Sequence, residues 1–283
     1  MNFETIIYET DGPLAFITLN RPEKLNAMNQ IMVEELKAAM DLAQLNDDVR
    51  VIIVRGAGRA FSSGLDIDPT DSEGMSKEQQ SEALKAELKN DFDMIMRFWD
   101  SPKPTIAAVH TYCLGGAMEL AMACDITIAA RECRFGEPEV TFGSGVVALL
   151  MRYVCGPTRA NHLLLTATHR ISTERAEAWG IVNRVDNPKK QQQRARQMAM
   201  DIARNDQHAV RVTKQAINNS YEIGRMRDAL KHALELDIAI EITETDESRE
   251  FNEILRNEGA KAAIDWRERK LGYVGQVKRH EIG

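Results

Sequence analysis

Residues 113–125 read CLGGAMELAMACD: two adjacent glycines, then an apolar helix-like run with one carboxylate inside it. Gly115 and Gly116 stand where strand-like text gives way to helix-like text. With no side chains there, a ligand can approach the backbone N–H groups closely, and the start of a helix adds partial positive charge. Such a place can hold an oxyanion, although a glycine pair also serves simply to let a helix pack tightly on a sheet. Glu119, three residues into the helix beside Leu120 and Ala121, is expected to face the sheet or a cleft. Burial there would raise its pKa and let it exchange protons near neutrality; a first-turn glutamate also complements the helix dipole. Glu139 follows in RFGEPEV, where Pro138 sets the direction in which its side chain leaves the backbone. Alone it reads equally as a solvated loop acid. Two carboxylates beside two glycines form a set able to move protons next to a stabilised negative charge.

The elements that must position this set alternate along the chain. Leu14–Leu19 (LAFITL) and Val51–Val54 (VIIV) are short apolar runs closed by turn residues, as buried strands are. Between them Met32, Leu36, Met40 and Ala43 recur at helical spacing. Thr105–His110 (TIAAVH) precedes the diglycine helix and Asp125–Ala129 (DITIA) follows it, so parallel strands with helical crossovers are expected. Residues 68–80 are polar and aperiodic, which predicts a surface loop, followed by a helix whose face carries Leu84, Leu88, Phe92, Ile95 and Trp99. From residue 191 onward the text is helical, with a loosely ordered tail expected from Gly272.

Composition narrows the classes. A chain of 283 residues can bury a substantial core. Its 43% hydrophobic and 28% charged residues suit a soluble globular protein, and no apolar run nears the ~20 residues of a membrane span. The segment MNFETIIYETDG has two glutamates and no basic residue, which predicts no export. Cys113, Cys124, Cys133 and Cys155 lack zinc-site spacing, so reduced thiols in a cytoplasmic protein are expected. A net charge of −7 offers no bulk attraction to nucleic acid or an anionic membrane.

Five segments in order, LNRPEKLNAM, AFSSGLDI, PTIAAVHTYCLGGAMELAMACDITIA, RFGEPEV and ISTERAEAWGIVNRV, resemble the enoyl-CoA hydratase/isomerase, or crotonase, family along almost the whole chain. The resemblance implies an α/β fold: a crotonase-like spiral of ββα units over residues 1–190, with a helical C-terminal trimerisation region over 191–283. It implies an acyl-CoA thioester substrate, a homotrimer or hexamer, no metal and no cofactor beyond the CoA of the substrate. Carried over by position, the N–H groups of Leu65 and Gly116 would form the oxyanion hole and Glu119 and Glu139 would be the catalytic carboxylates. Lys24, Leu25, Ala27, Ser63, Gly64, Asp66, Ile67 and Gly115 would lie along the substrate.

The expected activity is enoyl-CoA hydration. An isomerase or thioester hydrolase on the same fold, and a non-catalytic binding member, are the alternatives. The resemblance is weakest at VTFGSGVVALLMRYVCG, where many hydratases carry a longer loop with a glycine pair; Val146 and Val147 are expected there to make the acyl pocket more apolar. His110 is expected to be a supporting residue rather than part of the site.

Overall fold

The computed structural model describes residues 2–67 and 74–272. Strands β1 (Ile6–Asp11) and β2 (Leu14–Leu19) form a hairpin, α1 (Gln30–Leu45) crosses over to β3 (Val51–Gly56), and α2 (Lys77–Trp99) leads to β4 (Thr105–Val109). Then come β5 (Tyr112–Leu114), α3 (Gly116–Ala123), β6 (Ile126–Ala130) and β7 (Arg134–Gly136). Helices α4 (Met151–Val154) and α5 (Pro157–Leu165), strand β8 (Ile171–Ser172), α6 (Thr173–Ala178) and β9 (Arg184–Asp186) complete the sheet-bearing part. The chain continues through α7 (Pro188–Ala203), α8 (Gln207–Ile223), α9 (Met226–Glu241), α10 (Asp246–Glu258) and α11 (Ala260–Lys270).

The six-stranded sheet has the order β1-β2-β3-β4-β6-β9, and every pair but β1–β2 is parallel. Its central strands read as unbroken apolar runs because both faces are covered. Ala15, Ile17, Ile52, Val54, Ala107 and Val109 face the main core under α1, α2 and α3. Their alternates Leu14, Phe16, Val51, Ile53, Ile106 and Ala108 meet Ala195, Ala199 and Ala203 of α7. An alanine stripe at four-residue spacing lets that helix lie close to the strands; a bulky residue at Ala199 would overpack the layer at a cost of about 1–3 kcal/mol. The residue 190/191 boundary falls inside α7, which packs on the sheet with the preceding part of the chain.

A second sheet has the order β5-β7-β8. Each turn of the spiral places one strand in the large sheet, then a short segment in or beside the small one, then a helical element: β3, Ser62, α2; β4, β5, α3; β6, β7 and the 3-10 turn Glu139–Phe142. Ser62 bridges Cys113, and Cys113 pairs with Phe135, so three successive turns are held in register.

The predicted surface loop over 68–80 needs correction at its end. Residues 68–73 lie outside the described residues, but Lys77 already begins α2. Ser76 and Gln79 form a reciprocal capping box that satisfies free N–H groups at the helix start. A signal carried by two polar side chains is hidden in polar text. The tail beyond Gly272 also lies outside the described residues.

Candidate active site

The register of the spiral builds the site. Leu65 and Gly116 each lie three residues beyond bridged partners, Ser62 and Cys113, in consecutive turns. Glu139 follows the end of β7 in the next turn, and the Gly115 N–H donates to the Gly136 carbonyl at 2.9 Å. Three loops distant in sequence therefore converge on the N-terminus of α3.

The two glycines do different work. A Cβ on Gly115 would lie 2.1 Å from Oε1 of Glu139, and its φ of +52° belongs to the region that favours glycine. A Cβ on Gly116 would lie 2.8 Å from Cγ of Leu65. Gly115 thus admits the carboxylate and Gly116 admits the Leu65 loop. As the first residue of α3, Gly116 has an N–H without an intrahelical acceptor. The Leu65 N–H likewise makes no hydrogen bond among the described residues, because the flanking groups take the pairing: Met28 donates to Gly64 O at 2.9 Å and Asp66 donates to Met28 O at 3.0 Å.

Residues 21–28 and 60–67 come together as one unit. Asn26, fully buried, donates through Nδ2 to the carbonyls of Ala57, Ala60 and Phe61 at 2.9, 2.9 and 3.1 Å. Ser62 Oγ donates to Asn26 O at 2.8 Å and accepts from the Gly64 N–H at 3.1 Å. The Ser63 N–H donates to Leu25 O, and Arg21 bonds both Ala27 O and Asp66. Lys24 is exposed, Leu25 is half-buried with positive φ, and Ala27 is buried. Ile67 joins an apolar cluster with Phe142, Phe251 and Trp266, in which Phe142 stacks on Phe251 at 5.2 Å. Helices α10 and α11 therefore pack beside the site of their own chain.

Glu119 is 1% exposed, in a helix whose residues are all buried. Its carboxyl accepts from the Val147 N–H at 3.3 Å and the Ala148 N–H at 2.5 Å. Burial and the charge of Glu139 push it well above the usual carboxylate range, against those two donors. Glu139 is half-buried, and burial raises it to about 7, opposed by hydrogen bonds that include one from Glu137 and by the charge of Arg267. The two acids thus interact strongly and titrate as a pair.

Val147 is 4% exposed and Ala148 fully buried, so these side chains belong to the core. The pocket wall expected from Val147 is in fact a backbone clamp on Glu119, because the loop aims N–H groups rather than the Val147 side chain at the carboxylate. His110 is turned to the carbonyl of Gly58, with Nε2 3.2 Å from its oxygen.

The site also holds groups that the residue pattern did not single out: Asn26, Ser62, Glu137, Asp237 and Arg267. Glu137 is 1% exposed and Asp237 is 3% exposed. Asp237, on α9, is raised to about 7 by burial first and then by Glu241, and its charge reaches both Glu119 and Glu139. A Cβ on Gly145 would lie 2.2 Å from its Oδ1. Only Glu137 had a nearby signal, an acid two residues before Glu139 across a proline.

Residues 9–264 match the family model described as enoyl-CoA hydratase/isomerase. The chain is 36% identical over 228 residues to a probable mitochondrial enoyl-CoA hydratase of Dictyostelium discoideum, covering 78% of each chain. It is 34% identical over 227 residues to the short-chain-enoyl-CoA hydratase of Clostridium acetobutylicum, covering 78% of this chain and 84% of that one. The crystal structure of an enoyl-CoA hydratase/isomerase from Xanthobacter autotrophicus Py2 superposes with a TM-score of 0.89 at 43% identity, covering 95% of this chain and 99% of that one.

Proposed function

Because the chain belongs to the enoyl-CoA hydratase/isomerase family, we propose that it hydrates 2-enoyl-CoA thioesters, adding water across the 2,3 double bond. The observation that carries this reading is the convergence of two acids, buried Glu119 and half-buried Glu139, on the start of α3, where the N–H groups of Gly116 and Leu65 have no other acceptor among the described residues. The thioester oxygen takes those two N–H groups, which stabilise the enolate that forms when water attacks the third carbon. One carboxylate accepts the proton of the water and the other delivers a proton to the second carbon, so the pair ends with its proton count unchanged. Raised pKa values keep both a proton and a base on the pair near neutrality.

Residues 24–27 and 63–67 form the unit against which the CoA portion lies, with Gly64 giving room to the Leu114 carbonyl and Gly115 to the Glu139 carboxylate beside it. The reaction needs no metal and no cofactor beyond the CoA of the substrate. Two acids favour hydration over isomerisation, for which the later glutamate chiefly suffices. A panel of 2-enoyl-CoA thioesters tests the reading: hydration removes the conjugated chromophore and adds the mass of water, isomerisation leaves the mass unchanged, and hydrolysis releases free CoA. Unchanged mass or free CoA across the panel would overturn it.

The same reading makes the protein a cytoplasmic homotrimer or hexamer, with residues 191–283 supplying contacts. Val212 and Ile217 of α8 and Leu236 and Ile240 of α9 are exposed, which suits burial between copies. All four cysteines are free and buried, as a reducing compartment favours. No helix among the described residues is long and apolar enough to cross a membrane. The mass in solution tests the assembly.

A further inference from the structure

A third acid shares the site. Both carboxyl oxygens of Glu137 are buried and receive no N–H or O–H donor from another described residue, and Oε2 of Glu139 is buried in the same condition. The only hydrogen-bond partner that either carboxyl offers the other is a proton held between them, and the two side chains do lie within hydrogen-bond reach. If both were ionised, three buried oxygens would face one another with no donor, an arrangement that costs far more than a neutral acid does.

The surroundings favour a neutral Glu137. Its backbone N–H is fixed to Thr168 O at 3.1 Å. Glu119 on α3 and Glu139 on the 3-10 turn add negative charge to it, and the buried thiol of Cys113 on β5 is near enough to feel the charge of Glu137. Glu139 also feels Arg267 of α11, which favours its ionised form, and Asp237 of α9, which opposes it. Burial is the largest influence on both acids, and the cation opposes it at Glu139, which biases the shared proton toward Glu137.

We propose that Glu137 is a positioning residue for the hydration, a neutral carboxylic acid whose O–H donates to Oε2 of Glu139 and holds that carboxylate ionised and aimed at the start of α3. The proposal rests on the hydratase reading for its role, but the protonation of Glu137 stands apart from it. Oε1 of Glu139 stays free to face Gly115 and the substrate, while Oε2 is occupied. No proton leaves Glu137 in the reaction.

Two isosteric variants and one spectrum test this. In Glu137→Gln an amide N–H replaces the O–H, so the acid limb of the kcat/KM profile should stay near its wild-type position. In Glu137→Leu the donor is lost and the limb should move up by about one to two pH units, the range expected for a hydrogen bond to a charged group. A limb that does not move in the Leu variant, or one that moves down in both variants because a negative charge has been removed, would overturn the proposal. The infrared difference between wild type and Glu137→Gln at neutral pH should contain the carbonyl stretch of a protonated carboxylic acid. This readout needs no turnover, so a protein that failed to hydrate enoyl-CoA would sink the functional reading and leave the assignment to the spectrum. A carboxylate band in place of the acid band would contradict it directly.

Discussion

Gly115→Ala separates the two demands that the α3 start places on this chain. The added Cβ would sit 2.1 Å from Oε1 of Glu139, whereas a close carbon to oxygen contact is about 3.3 Å. The carboxylate must therefore retreat by roughly 1 Å, and a misplacement of that size in a reacting group costs on the order of 10²-fold in rate. The obstructed atom is the end of a flexible side chain, so the fold absorbs the contact cheaply. What remains is the strain of an alanine at φ +52° and ψ −135°, a sparsely populated region that costs about 1–3 kcal/mol, which lowers Tm by a few degrees in a chain of this size. Steady-state kinetics with a 2-enoyl-CoA ester should show kcat down about 10²-fold with KM little changed, because the segments around residues 24–27 and 63–67 are untouched. Thermal unfolding of the same variant should show only the small loss. A variant with wild-type kcat would refute the placement of Glu139 against Gly115, and one that unfolds at room temperature would refute the division between strain and displacement.

Glu119→Gln and Glu139→Gln should each lower kcat by roughly 10²–10⁴-fold with CoA-ester affinity retained; product formation at saturating substrate measures this. Asn26→Ala should leave the carbonyls of Ala57, Ala60 and Phe61 without their shared donor, lowering stability by about 2–3 kcal/mol and activity with it, as denaturant unfolding and kinetics would show; an unchanged midpoint would count against it. Asp237 is raised from 3.8 to about 7 in the folded protein, so its stabilising contribution is fully present below pH ~4 and is lost as pH rises through ~7. Asp237→Asn should therefore gain stability relative to wild type as pH rises from 4 to 8, by up to about 4 kcal/mol, and a difference that is flat with pH would contradict it.

Much of this molecule is legible where local text and tertiary role coincide. LAFITL and VIIV read as buried strands because both faces of β2 and β3 are covered, and the stripe of Met32, Leu36 and Met40 reads as α1 because that face alone is buried. Strand β1 is harder to see, since IIYETD has only Ile6 buried and its other residues carry no clean alternation. The glycine pair and its two glutamates stand out by type, and the structure brings them together. Asn26, Ser62 and Glu137 do not stand out. Asn26 acts on carbonyls more than 30 residues away, Ser62 acts through a bridge to Cys113, and Glu137 acts on a neighbour across a proline that any loop could contain. In the same way, Val147 and Ala148 read as apolar side chains, yet what they bring to the site is two backbone N–H groups. No side-chain pattern encodes those.

The hydratase claim is tested most directly by turnover of a 2-enoyl-CoA ester in water labelled with oxygen-18, with the products resolved by mass. The account predicts one labelled oxygen on the acyl chain of an intact CoA ester, with the label lost when water is eliminated in the reverse reaction. An unlabelled CoA ester of unchanged mass with its double bond moved, or free CoA beside a carboxylic acid labelled at its carboxyl group, would contradict it.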